Sequence, residues 1–200
     1  MVESTPSKIA TRVRRLLPTR LARRFVRHQK GAAAIEFGMV ALPFLALTFA
    51  ILETALVFFA GQTLETAVQD SARLIMTGQA QTSGFSKDDF KNAVCARIFG
   101  LFDCVNGIYV DVKTYSSFAA VNTAPLPINN GQFDTTNLNY NPGGDGDIEV
   151  VTLYYQWPIY VSLLGNNLSN LSNNKRLLVA TAVFCNEPFS GVKSPTAACN

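Results

Sequence analysis

The chain has 200 residues, 48% hydrophobic and only 16% charged, a balance that fits one ordinary globular domain plus an unusually apolar segment. Its net charge of +3 is unevenly placed, because residues 1–31 hold nine Lys or Arg against Glu3 alone, a local +8, leaving −5 for the rest. That asymmetry argues against a uniformly basic nucleic-acid binder, and a single histidine with four cysteines in no CxxC spacing argues against the common zinc frameworks.

The basic stretch comes first: Lys8, Arg12, Arg14, Arg15, Arg20, Arg23, Arg24, Arg27 and Lys30. Excess Lys and Arg beside an apolar span hold that flank in the cytoplasm, so the N-terminus is expected inside and the C-terminus outside. Phe25 is the only aromatic among these residues and no binding motif accompanies them, so no nucleic-acid partner is expected. Leu16, Leu17, Leu21 and Phe25 fit either a weak amphipathic helix on the inner leaflet or a disordered arm.

Next stands KGAAAIEFGMVALPFLALTFAILE, Lys30 to Glu53. Between Glu36 and Glu53 lie sixteen uncharged residues, and the two carboxylates stand about 25 Å apart along a helix, close to a hydrocarbon thickness of about 30 Å. One transmembrane helix is predicted, with an acid near each interface and a local kink at Pro43. In a secretory signal peptide the small-residue cleavage site follows the apolar core. Here the small residues, Gly31 to Ala34, precede it, so cleavage after Gly31 would remove the charged leader and leave Ala32 as the new N-terminus.

Beyond the span the helix is expected to continue, since Leu64, Ala67, Val68, Ser71, Ala72 and Ile75 form one stripe while Glu65, Gln69 and Asp70 populate another face. Asp70 and Arg73 are spaced for a helical ion pair, and Gly78 is a stop. TGQAQTSG is read as a loop to a second helix starting near Ser86, with Asp88 and Asp89 in its first turn and Phe90, Val94, Ile98 and Leu101 as its packing residues.

Ile108 to Ser117, Ile148 to Leu163 and RLLVATAVFC are rich in β-branched and aromatic residues and predict three strands, with Pro158 bending or breaking the second. The Asn/Gly/Pro-rich connection Ala120 to Asp147 is too long for a tight hairpin and is expected to be mobile or functional. Outside the membrane, Cys95 with Cys104 and Cys185 with Cys199 are the favoured disulfides, each closing a short local loop. Asp145 and Asp147 offer oxygen ligands for calcium, but the glutamate of an EF-hand loop is missing and such turns usually only turn. The Asn167 and Asn170 sequons are read as polar loop. His28 lies on the other side of the membrane, so no catalytic unit assembles; an enzyme would require Asp111, Glu149 and Glu187 to converge. No cofactor is expected.

Gly31 followed by AAAIEF puts Glu36 fifth in a processed chain, which resembles the prepilin-peptidase site of type IV pilins. The longer pattern GAAAIEFGMVALPFLALTFAILE with AVQDSARLIMTG resembles the TadE-like proteins, minor pseudopilins of the Tad (Flp) tight-adherence pilus. The likeness is closest over Arg24 to Gly78, carried by the glycine-plus-glutamate element, LP, the second glutamate and the late Ala-Arg, with a weaker echo in FCNEP. Gly38 departs from the pattern and is expected to loosen the first helical turn. The resemblance implies that Glu36 attracts the new N-terminal amine of a neighbouring subunit; the alternative is an interfacial acid beside Lys30 and Arg27. Glu53 is either an outer-interface residue or a contact with another subunit's helix, and Arg73 either a recognition residue or a solvated partner of Asp70.

The expected architecture is α+β: a cytoplasmic leader over 1–31, a transmembrane helix over 32–62, and a periplasmic domain over 63–200 with a short helix and a small antiparallel sheet. The expected function is that of a non-enzymatic pseudopilin in pilus assembly and adherence. Its expected partners are the inner membrane, a prepilin peptidase, other pilins or pseudopilins and Tad assembly proteins. The alternative is an unprocessed single-span protein whose periplasmic domain binds pilus or secretion components.

Overall fold

The computed structural model describes residues 29–98, 100, 102–121, 125–160, 168–190 and 199, so most of the basic leader, and Leu101 and Asn167, lie outside the described residues. Forty-eight residues with Pro43 as the single proline form one helix, α1, Gln29–Met76. Among the described residues it is the one helix long and apolar enough to cross a membrane. Gly38 does not interrupt it. The chain divides into two units after Leu45.

From Ile35 to Leu52 every large apolar side chain of α1 is exposed. From Val57 the pattern changes, as Val57, Ala60, Leu64, Ala67, Val68, Ala72 and Ile75 sink into the core of the second unit at helical spacing. Met76 ends α1, and Gly78 turns the chain in the left-handed region, φ 74°. TGQAQTSG is not all loop: Gln79–Thr82 makes one helical turn, α2, in which the Thr82 hydroxyl donates to Gly78 O (2.8 Å). Then comes α3, Lys87–Cys95, opened by a reciprocal capping box between Ser86 and Asp89. It buries Phe90 and Val94 fully, whereas Ile98 is buried beyond its end. A further turn, α4 (Cys104–Gly107), leads into the first strand.

Three strands, β1 (Ile108–Tyr115), β4 (Ile148–Pro158) and β5 (Lys175–Cys185), form an antiparallel sheet in the order β1-β4-β5. The register pairs Ile108 with Tyr155, Tyr115 with Ile148, and Pro158 with Lys175. Strand alternation sorts the side chains: Val110, Val112, Val151, Leu153, Ala180 and Ala182 join the helix stripe in one cluster, while Tyr154 and Leu177 build a smaller one with Leu171 on the other face. β4 ends at Pro158, which has no N–H for the ladder, and the end of the second predicted strand, to Leu163, lies outside the described residues.

The long connection contains a small hairpin, β2 (Ile128–Asn129) with β3 (Gln132–Phe133). Asn130 and Gly131 both take positive φ, 50° and 74°, as a type I′ turn requires. Tyr140 bridges to Val112 further along. Disulfides join Cys95 to Cys104 and Cys185 to Cys199. The architecture is α+β, a long apolar helix followed by short helices and antiparallel sheet.

Candidate functional site

Gly31 and Ala32 stand in the first turns of α1, and Glu36 is exposed.

Glu53 behaves differently from Glu36. It is buried, and its Oε1 accepts the backbone N–H of Tyr160 (3.1 Å), 107 positions away. The second carboxylate of the apolar stretch therefore ties α1 to the residues just after β4. Sequence reading offered an interface residue or an intersubunit contact for Glu53, and a partner within the same chain was not foreseen. Arg73 is exposed and makes no ion pair with Asp70; the one ion pair among the described residues joins Lys113 to Asp111 (2.7 Å). An exposed pair gains about 0–1 kcal/mol, too little to hold two long side chains together.

The far end of α1 is gripped by the segment containing FCNEP. Glu187 N–H donates to Met76 O (2.8 Å), and the ring of Phe189 lies against Gly78, where a Cβ would collide with it. Asn186 Nδ2 donates to Pro142 O (3.0 Å) and Gly144 O (2.9 Å), and Gln81 Nε2 reaches Ile75 O (3.1 Å) and the same Pro142 O (2.7 Å). One collar thus joins the helix end, α2, the loop before β4 and the end of β5. The Cys185–Cys199 disulfide adds a covalent closure, with Cys199 N–H donating to Gly146 O (3.2 Å).

The two aspartates of that loop serve the collar. Ser190 donates through its N–H and hydroxyl to Asp145 Oδ2, and Gly144 N–H donates to Asp147 Oδ2 (2.8 Å). Among the described residues no three His, Cys, Asp or Glu side chains are grouped to hold a metal ion. Asp111, Glu149 and Glu187 do not converge, since Asp111 and Glu149 project from opposite sheet faces and Glu187 is exposed beyond β5.

Glu149 is the residue that sequence reading undervalued. It is fully buried on the face shared with Val151 and Leu153, neither carboxylate oxygen has a hydrogen-bond partner, and Gly143 packs so closely that a Cβ there would strike Oε1. Burial pushes its carboxyl up to about 7; the nearby Thr114 hydroxyl, which forms no well-aligned hydrogen bond to it, pulls the value down in part, and the Asp147 charge raises it. The alternation in IEVVTLYY was the available signal, because it puts this acid in step with the core residues of β4.

Residues 31–73 match the family model described as TadE-like protein. No curated protein and no solved structure matches the chain.

Proposed function

We propose that the protein is a pseudopilin-like component of a Tad-type pilus, held in the inner membrane by residues 33–52 of α1 with the chain from Glu53 onward on the periplasmic side. The carrying observation is that the family match over 31–73 falls within α1, the one long apolar helix among the described residues, whose large side chains from Ile35 to Leu52 are all exposed. Lipid, or the helices of neighbouring subunits, would cover them. Twenty residues at a rise of about 1.5 Å reach about 30 Å, one hydrocarbon thickness. The span is set at 33–52, shorter than 32–62, because Glu53, Val57 and Ala60 are buried within their own domain.

In this reading a prepilin peptidase cuts after Gly31, and Glu36 then meets the ammonium group of a neighbouring Ala32. A carboxylate and an amine in low dielectric attract strongly enough to offset much of their burial. Glu53 serves its own chain, docking the domain onto the helix. Two disulfides suit an oxidising periplasm.

N-terminal sequencing of the membrane-extracted protein tests the reading: Ala32 is expected as the first residue. Gly31→Leu should accumulate the longer precursor, because a bulky side chain blocks the cut, whereas Glu36→Gln should be cleaved yet support few pili. An intact leader on assembled wild-type protein would leave an uncleaved membrane anchor instead.

A further inference from the structure

Beside the point where α1 enters its domain lies a groove of about 220 Å³, formed on the helix by Val57, Phe58 and Gly61 and on the domain by Leu168, Arg176 and Leu178. Gly61 keeps it open, since a Cβ there would meet nothing within 4 Å. The walls are apolar except at Thr54, whose hydroxyl donates to Ala50 O (2.8 Å), Gln62 and Arg176. One guanidinium N–H of Arg176 donates to Leu168 O (3.0 Å), and no described carboxylate lies within ion-pair distance of it. A guanidinium carries five N–H donors in all.

The geometry points to this groove as the seat of one phospholipid of the outer leaflet, its phosphodiester on Arg176 and its glycerol end against Phe58 and Leu178. This inference rests on the membrane-spanning reading of α1. Three observations favour the lipid. Phe58 stands six residues beyond Leu52, about 9 Å along the helix, at the outer edge of a headgroup layer about 5–8 Å deep when the hydrocarbon ends near Leu52. Phe58, Phe59 and Tyr160 are 70%, 60% and 80% exposed, an aromatic collar of the kind that sits at a membrane interface. Finally, Leu52, Leu56 and Phe59 carry the exposed apolar stripe past the groove without a break. A helix about 10–12 Å wide is too bulky for a 220 Å³ recess, whereas a headgroup with its glycerol end is not. Guanidinium is also the side chain whose fork matches phosphate oxygens.

The test uses the full-length protein in vesicles of phosphatidylethanolamine and phosphatidylglycerol containing a trace of phospholipid with a diazirine near the glycerol end of one chain. After irradiation, adducts are mapped by peptide mass spectrometry. Adducts are expected on residues 54–62 and 176–178, together with adducts on 35–52 from bulk lipid. Arg176→Gln should lower the groove adducts roughly tenfold, the size of effect expected when a charge-assisted hydrogen bond is lost, with the 35–52 adducts unchanged. Gly61→Leu, which fills the groove while favouring the helix, should do the same. Adducts on 35–52 without groove adducts overturn the lipid site and leave the membrane span standing. Groove adducts that neither variant reduces mark incidental lipid contact and also overturn it. Absence of adducts everywhere overturns the membrane span itself, and with it the inference.

Discussion

Glu149→Gln should remove a pH dependence that the wild-type fold carries. The carboxyl titrates near 7 in the folded chain against an ordinary 4.5, so between those values the folded state holds a proton that the unfolded state has released. Stability then falls as pH rises: the contribution is full below 4.5 and is lost through about 7. At about 1.4 kcal/mol per pH unit the loss is about 3 kcal/mol, and for a chain of this size it lowers Tm by roughly 6–12 °C. Asp89 and Asp134 act with the opposite sign and in another window, because hydrogen bonds from Ser86 and Thr136 hold both below 3.8; their contribution disappears only in stronger acid. The assay is thermal unfolding of the detergent-solubilised full chain, followed by circular dichroism, at several values from about pH 5 to about pH 8. Glutamine brings its own burial cost, which displaces its curve by a constant, so the slope and not the offset is diagnostic. A wild-type Tm that does not fall across this range, or a Glu149→Gln protein that keeps the wild-type slope, refutes the buried-acid account.

Glu53→Ala should cost about 1 kcal/mol and speed hydrogen exchange at the Tyr160 amide, because that N–H loses its acceptor; unchanged exchange would mean that the contact holds nothing. Gly78→Ala should destabilise by about 1–2 kcal/mol through its positive φ, with a further loss from collision with Phe189. Adding Phe189→Ala should recover only the collision part, which a double-mutant cycle of melting curves would read as coupling between the two sites. Denatured, non-reduced protein from intact envelopes should show no maleimide-reactive thiol, and Cys95→Ser with Cys104→Ser should lower stability by about 2–3 kcal/mol; four reactive thiols would contradict both bridges.

What could be read in advance follows from how far each signal reaches along the chain. The stripe from Leu64 to Ile75 repeats over three turns, and the runs in β1, β4 and β5 alternate over eight or more residues, so both periods stand out. Ser86 with Asp89 needs only four residues to declare a helix start. One helical turn, Gln79–Thr82, has no period to detect, and the β2–β3 hairpin has only two residues per strand, although Asn130-Gly131 is a standard turn pair. Glu53 was opaque for a different reason: its partner is a backbone N–H that only the folded chain brings near.

Glu53 also determines where the proposed span can end. Composition alone extends the apolar run through Leu64, because nothing charged interrupts it after Glu53. Yet apolar residues at the end of a membrane helix and those at the start of a domain-packing stripe are chemically alike, and only their burial separates them. Leu52, Leu56 and Phe59 stay exposed on one side while Val57, Ala60 and Leu64 are covered by the domain on the other. Over residues 53–62 the helix therefore has one face already satisfied within the chain and one that still requires an apolar covering. A full turn of lipid around it is impossible there. In the proposed span, membrane depth would run out asymmetrically, with the Tyr160 contact to Glu53, and not the last apolar residue, marking its end.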